Sequence, residues 1–345
     1  MKRTIKRIVI SILALVVLVF LAFKLSPYPA VWLVRYAFEK EAVRVDEALE
    51  KFVPENILAI RDVQYEPTDP NSLLDIYYPK DAMAAKSKMP VIVWTHGGGL
   101  VSGTKDHISN YSKLLASQGF VAVSIDYTIA PEAKYPRPIQ QLNEALAFIS
   151  SNADQFAIDS TQFILAGDSG GSMITAATAN LITSPSYATI TKVKPGLQPD
   201  QLKGLLLYCG IYEVDNLNSE GAFASFLNTV TWAYFGEKDI TNNEYAKTAS
   251  VLNYLTASFP PTFISAGNED PLLAQSKRLA GKLSTLGVQQ DTLFFPADYE
   301  PALGHEYQFT FDEDGKQAFE RSIQFINQVL SSKVGPDSPS MVPAY

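Results

Sequence analysis

The chain has a single cysteine, Cys209, and only three histidines, His96, His107 and His305. One thiol cannot make an internal disulfide or a cysteine-built zinc site, and three scattered imidazoles leave little for a histidine-built metal centre. No metal or organic cofactor is therefore expected. Cations are also short: 28 basic residues stand against 36 acidic ones, for a net charge of −8. That is the wrong sign for gripping a phosphate backbone, which excludes nucleic acid as a partner. Charged residues make up only 19% of 345 positions and hydrophobic ones 47%, enough to bury the core of one large domain or two modest ones. No internal repeat is present. Any catalytic imidazole must come from the list of three.

The charge is unevenly placed. Lys2, Arg3, Lys6 and Arg7 precede Ile8 to Phe23, a 16-residue apolar run broken only by Ser11; Lys24 closes it, and the first acid is Glu39. As a helix the run is about 24 Å long, workable for a bilayer with some thinning and a snorkelling Lys24. A buried core helix would carry a polar stripe, which is missing. A cleavable signal would be followed by small residues at A-x-A spacing, whereas Lys24-Leu25-Ser26-Pro27-Tyr28-Pro29 follows here. Residues 1–24 are accordingly expected to be an uncleaved signal anchor, with secretion after cleavage as the alternative. The flanking cations predict a cytoplasmic amino terminus and an extracytoplasmic acidic bulk.

Residues 25–57 read as one or two amphipathic helices. Leu58 to Tyr65 and Leu73 to Tyr78 are strand-like runs joined through Pro67-Thr68-Asp69-Pro70-Asn71, hence a hairpin. Further on come short, continuously apolar runs at Val91–Trp94, Phe120–Ile125, Phe163–Ala166, Leu205–Tyr208, Phe263–Ala266 and Thr292–Phe295, as in strands buried on both faces. Helical patterns lie near 107–117, 138–151, 171–183, 272–286 and 315–331. The alternation predicts an α/β fold, a mostly parallel sheet with helices on both faces. The aromatic-rich segment 213–258 interrupts it and reads as a cap inserted within a catalytic domain of residues 58–331. The proline-containing tail 332–345 is expected to be loose.

Gly167-Asp168-Ser169-Gly170-Gly171 lies between an apolar strand and a helix, the context in which G-x-S-x-G becomes a nucleophile elbow. Chymotrypsin-like proteases carry the same letters, but on β-barrels and with the histidine upstream. His96-Gly97-Gly98-Gly99 follows another strand. Its glycines allow backbone N–H groups to approach a substrate oxygen closely, and the Lys-Ser or Lys-Thr of a phosphate loop is absent. Serine needs a base, and His305 is the one histidine downstream of Ser169; His107 reads as a surface or capping residue. An orienting acid is expected after the strand Phe263–Ala266, from Glu269 or Asp270, the latter also suited to cap a helix beginning at Pro271. Asp291 and Asp298 are substitutes. The sequon Asn110-Tyr111-Ser112 falls in a predicted helix.

Together, His96–Gly99, Asp126-Tyr127-Thr128-Ile129-Ala130-Pro131-Glu132, the Gly167–Gly171 elbow, Asp270-Pro271-Leu272 and His305 resemble the hormone-sensitive-lipase-like branch of the α/β-hydrolases, over roughly residues 58–331. The resemblance implies Ser169 as nucleophile, His305 as base, Asp270 as its acid, and N–H groups of Gly98, Gly99 and Gly170 as an oxyanion hole beneath a helical cap. Thr128, Gly170 and Gln141 depart from the branch, which usually has arginine, alanine and an acid there. The expected function is a membrane-anchored serine carboxylesterase acting on small ester substrates of short to medium acyl length. A deacetylase, thioesterase or peptidase with the same triad, or an inactive binding protein, are the alternatives.

Overall fold

A computed structural model describes residues 2–84, 87–215, 217 and 221–331. The expected loose tail lies outside the described residues. Two helices open the chain, α1 (Lys2–Leu25) and α2 (Tyr28–Leu49). They part at Ser26-Pro27, where proline has no N–H to continue the ladder, and Pro29 sits in the first turn of α2, where the missing donor costs nothing. α1 has no buried residue and is long and apolar enough to cross a membrane. The segment 25–57 thus holds one long helix, followed by a short 3-10 turn, Glu50–Phe52.

Eight strands form one sheet: β1 (Ile57–Gln64), β2 (Leu73–Pro79), β3 (Met89–Thr95), β4 (Val121–Ile125), β5 (Ile158–Asp168), β6 (Leu202–Tyr208), β7 (Thr262–Ala266) and β8 (Gln290–Phe294). Their order is β1-β2-β4-β3-β5-β6-β7-β8. β2 pairs antiparallel with both β1 and β4, and the other pairs are parallel. The hairpin and all six later strands therefore fall where the apolar runs placed them. β5 is longer than its run because Asp159-Ser160-Thr161-Gln162 extends the strand with polar residues, beyond the reach of an apolar pattern.

Side chains alternate between two cores. Val91 and Val93 of β3 join one cluster, while Ile92 and Trp94 join the other. The first core lies beneath α5 (Arg137–Ser151), α6 (Ser169–Thr183) and α10 (Leu273–Thr285); the second lies beneath α4 (Ser109–Ala116) and α11 (Glu313–Ser331). The short helices α3 (Lys80–Ala84), α7 (Pro185–Thr191) and α9 (Glu244–Ala249) lie in the connections, and α8 (Gly221–Phe235) occupies the aromatic segment.

The strand order fixes where a site can form. From β3 the chain goes to β4 on one side and then returns to β5 on the other, so β3 and β5 are neighbours whose following segments diverge. Ligands of open α/β sheets bind at such switch points, outside the carboxyl ends of the strands. Here Trp94 pairs with Ala166 and Thr95 with Gly167, so both strands end level. The glycine run after β3 and the serine after β5 are thereby delivered to the same place.

Candidate active site

Ser169 begins α6 with φ 49°, a left-handed backbone that a non-glycine residue adopts only when its surroundings enforce it. The enforcement is steric. A Cβ on Gly171 would come within 2.1 Å of the Thr95 carbonyl oxygen, and one on Gly167 within 2.7 Å of Gly171. Only bare backbone allows β3, β5 and α6 to meet so closely, and the tight bend lifts Ser169 clear of the strand.

His305 Nε2 lies 2.9 Å from Ser169 Oγ, and its Nδ1 lies 3.0 Å from Asp270 Oδ1. The same Asp270 oxygen accepts the Leu272 backbone N–H at 2.7 Å, which fixes the carboxylate. The helix itself starts later than expected, at Leu273, leaving Pro271 in the turn before it. Among the acids considered, Asp270 is the one that meets the imidazole. Glu269 contributes its backbone N–H to the Leu303 carbonyl, tying the two loops together. Asp291 pairs with Arg321 at 2.6 Å, and Asp298 is exposed.

Burial disfavours the imidazolium of His305, but Cys209 and Asp270 beside it outweigh that cost and raise it well above the ordinary histidine value. Burial pushes the Cys209 thiol itself up to about 12. Cys209, His305 and Glu306 bring three metal-type donor atoms within 4.8 Å of one another. Both imidazole nitrogens are already hydrogen-bonded, so this donor set offers a metal no free nitrogen.

Gly98 and Gly99 both have positive φ, 90° and 60°. Their N–H groups have no acceptor among the described residues, and Gly170, in the first turn of α6, has none within its helix. The loop carrying them is pinned from below. Tyr127 Oη donates to the His96 and Gly97 carbonyls at 3.1 and 3.3 Å, and its ring stacks on His96. Burial holds His96 down at about 3, so it is neutral. Asp126 accepts the Lys105 backbone N–H at 2.7 Å, and the buried Lys105 ammonium pairs with Asp62 and Asp75 at 2.8 and 3.2 Å.

The two departures from the family pattern below this loop meet each other. The Gln141 side chain accepts from the Thr128 N–H at 2.8 Å and donates to the Thr128 hydroxyl at 2.9 Å. An uncharged pair thus spans the place where the family resemblance leads one to expect an ionic one.

These groups face a cavity of about 620 Å³. Its floor is the glycine loop, Ser169 and His305; its roof is α2 and α8, which meet through Phe38 and Phe226 at 5.6 Å between ring centroids. The lining is apolar on the α8 side, while Glu41, Arg44 and His107 supply a polar end. His107 is therefore no surface residue: its side chain is largely covered and lies 3.3 Å from Glu39, because α2 packs over the turn that carries it. The Asn110 sequon is covered in the same way, its amide donating twice to Asp46 at 2.9 Å.

Two neighbours of the site left no sequence signal beyond adjacency to a motif residue. Asp168 accepts from Trp94 Nε1 at 2.7 Å, and burial followed by the nearby Glu306 carboxylate raises it well above the usual carboxylate range. Glu306 has φ 59° and brings its carboxylate to 3.7 Å from His305 Nε2.

Comparisons with known proteins bear on the family and the fold. The BD-FAE family model matches residues 74–283. An acetyl esterase of Salmonella schwarzengrund is 25% identical over 234 residues, 66% of this chain and 69% of that protein. Among solved structures, esterase B of Lactobacillus rhamnosus superposes with a TM-score of 0.75 at 22% identity, covering 88% of this chain and 96% of that one. An esterase of Pyrobaculum calidifontis gives 0.69 at 22% identity, with 88% and 94% covered. Since the family model spans more than half of the sequence and the fold carries the matching sheet and elbow, the chain belongs to the BD-FAE family, on the hormone-sensitive-lipase-like branch of the α/β-hydrolases.

Proposed function

We propose that the protein is a serine carboxylesterase in which Ser169, His305 and Asp270 act as one unit. The observation that carries this reading is the continuous hydrogen-bonded chain from the serine to the buried carboxylate, at the floor of a cavity rimmed by glycine N–H groups that have no acceptor among the described residues. Ser169 Oγ attacks the ester carbonyl carbon while His305 Nε2 takes its proton, and the carbonyl oxygen becomes an anion received by the N–H groups of Gly98, Gly99 and Gly170. On collapse, the C–O bond to the alcohol breaks and His305 returns the proton to the departing oxygen. Water then repeats the sequence in reverse, releasing the acid and freeing Ser169. Asp270 holds the imidazole with Nε2 toward the serine and supports its transient charge.

The cavity has the size of an ordinary small-molecule site, and its apolar α8 wall suits a short to medium acyl chain. Residues 1–24 serve as the membrane anchor, with the amino terminus cytoplasmic and the catalytic domain of residues 58–331 on the other side. The segments 25–57 and 213–258 form the cap. Esterase B of Lactobacillus rhamnosus has been crystallised inhibited by a C4-C4 tributyrin phosphonate, and the same class of reagent tests this chain. A phosphonate ester should label the wild type at Ser169 and leave Ser169→Ala unmodified. Equal nitrophenyl-butyrate hydrolysis by the two would end the reading.

A further inference from the structure

The outer surface of α2 changes character halfway along. From Leu25 to Phe38 the single charged residue is Arg35, and it is turned inward: its guanidinium reaches the Val101 carbonyl at 2.7 Å, the Ala130 carbonyl at 2.9 Å and the Glu132 carboxylate. What this half presents to the outside is Leu25, Tyr28, Trp32, Leu33 and Tyr36, with Trp32 and Tyr36 67% and 72% exposed and stacked on each other. Beyond Phe38 come Glu39, Lys40, Glu41, Arg44, Asp46 and Glu47. An aqueous surface gains nothing from large exposed rings gathered on one half of one helix. Aromatic side chains are concentrated where water gives way to lipid.

The anchor supplies the complementary observation. Its apolar run of 16 residues reaches about 24 Å as a helix, against about 30 Å of hydrocarbon. The aromatic half of α2 follows directly on this short span, across Ser26-Pro27. Beside that junction Lys238 donates to the Lys24 carbonyl and lies 4.2 Å over the Trp232 ring, a second pairing of apolar ring and cationic head suited to the headgroup level. Arg35 ties α2 to the catalytic body, and Phe38, in the cavity wall, is six residues and thus about 9 Å along the helix from Trp32.

Building on the reading of α1 as a membrane anchor, we propose that the exposed aromatic half of α2 is seated in the interface of a phospholipid bilayer, and that the cavity receives esters dissolved in that leaflet. The occupant of this face is the lipid itself, continuous with the lipid around α1. Trp32, Leu33 and Tyr36 take no part in lining the cavity, so the seat can be altered without touching the reacting groups.

The test uses the full chain reconstituted in dioleoylphosphatidylcholine vesicles, with and without bromine at mid-chain positions. In a Trp232→Phe background, tryptophan emission should be quenched by the brominated lipid, and adding Trp32→Phe should remove most of the quenched component, since the remaining Trp94 is buried. The triple variant Trp32→Ser, Leu33→Ser, Tyr36→Ser should lose about tenfold in turnover of a long-chain ester dissolved in the bilayer relative to a water-soluble butyrate ester, the loss expected for withdrawing roughly one large side chain's worth of apolar contact. Chain that floats with the vesicles while Trp32 stays unquenched overturns the seat and leaves the anchor standing. An equal effect of the triple variant on both esters likewise overturns it. Chain that fails to float overturns the anchor and the seat together. The quenching measurement needs no turnover, so it stands apart from the assignment of the triad.

Discussion

The floor and the roof of the cavity are held by different kinds of interaction. In the floor, the proposed reacting groups follow successive strands: the glycine loop after β3, Ser169 after β5, Asp270 after β7 and His305 in the loop beyond β8. The joints are backbone approaches under 3 Å from where a Cβ would stand, together with hydrogen bonds between loops. The roof is two helices, one from the amino-terminal segment and one from the aromatic insertion, joined to the rest by side-chain contacts, among them Arg35, the Asn110–Asp46 pair and the apolar Val31, Leu227 and Val230, and to each other through Phe38 and Phe226. The floor therefore has one arrangement available, whereas the roof can change its side chains and its reach. On the proposed assignment, chemistry belongs to the floor and selectivity to the roof.

That contrast can be broken at either level, and the floor should respond most. Ser169→Ala should lower kcat by roughly four orders of magnitude or more while circular dichroism and the melting temperature stay near those of the wild type. Asp270→Asn should come next, with a loss of about 10³ to 10⁴ in kcat. It carries a pH signature as well. The base must be neutral to accept a proton, and His305 is raised above the ordinary histidine value, with Cys209 and Asp270 both favouring its charged form, so on the acid limb of kcat/KM activity should fall as pH drops through that raised value. Removing the Asp270 charge should move that limb downward; a limb that stays put in Asp270→Asn would refute the assignment of the acid.

Changes in the roof should be smaller and of another kind. Arg35→Ala frees α2 from the Val101 and Ala130 carbonyls, and is expected to raise KM about fivefold while kcat stays within about twofold, because the reacting groups keep their own supports. Steady-state kinetics with a soluble butyrate ester would show it. Phe226→Ala should have the smallest effect on the best short ester, under about threefold, while shifting the acyl-length optimum upward as the wall recedes. If Phe226→Ala instead damaged kcat as severely as Asp270→Asn, roof and floor would have to be regarded as a single unit.

The same division governs how much could be read from the residues alone. The sheet was legible because a strand buried on both faces leaves a continuous apolar run, and the elbow because its glycines are required locally by the bend at Ser169. His305 followed from chain order and scarcity. What escaped notice depends on contacts between distant segments. Helix α2 lies over His107 and Asn110, 60 to 70 positions away, and nothing near either residue announces it. Glu306 beside Asp168 is another such case, and so is Gln141 against Thr128, where two departures that look separate in sequence form one pair in space. The start of β5, Asp159–Gln162, left no signal for a local reason: the four residues are polar, and the pairing with β3 jumps across them from Ile158 to Phe163.

The level ending of β3 and β5 makes hydrolysis a readout of folding. A slip of one residue between these strands would displace the glycine amides from Ser169 by roughly 3.3 Å and turn every side chain of the strand to the opposite face. His305 follows β6, β7 and β8 in the chain, so its place beside Ser169 depends on all three strands. No half-assembled sheet can turn over substrate, so recovery of activity after dilution from denaturant should report the last pairing event rather than the first collapse.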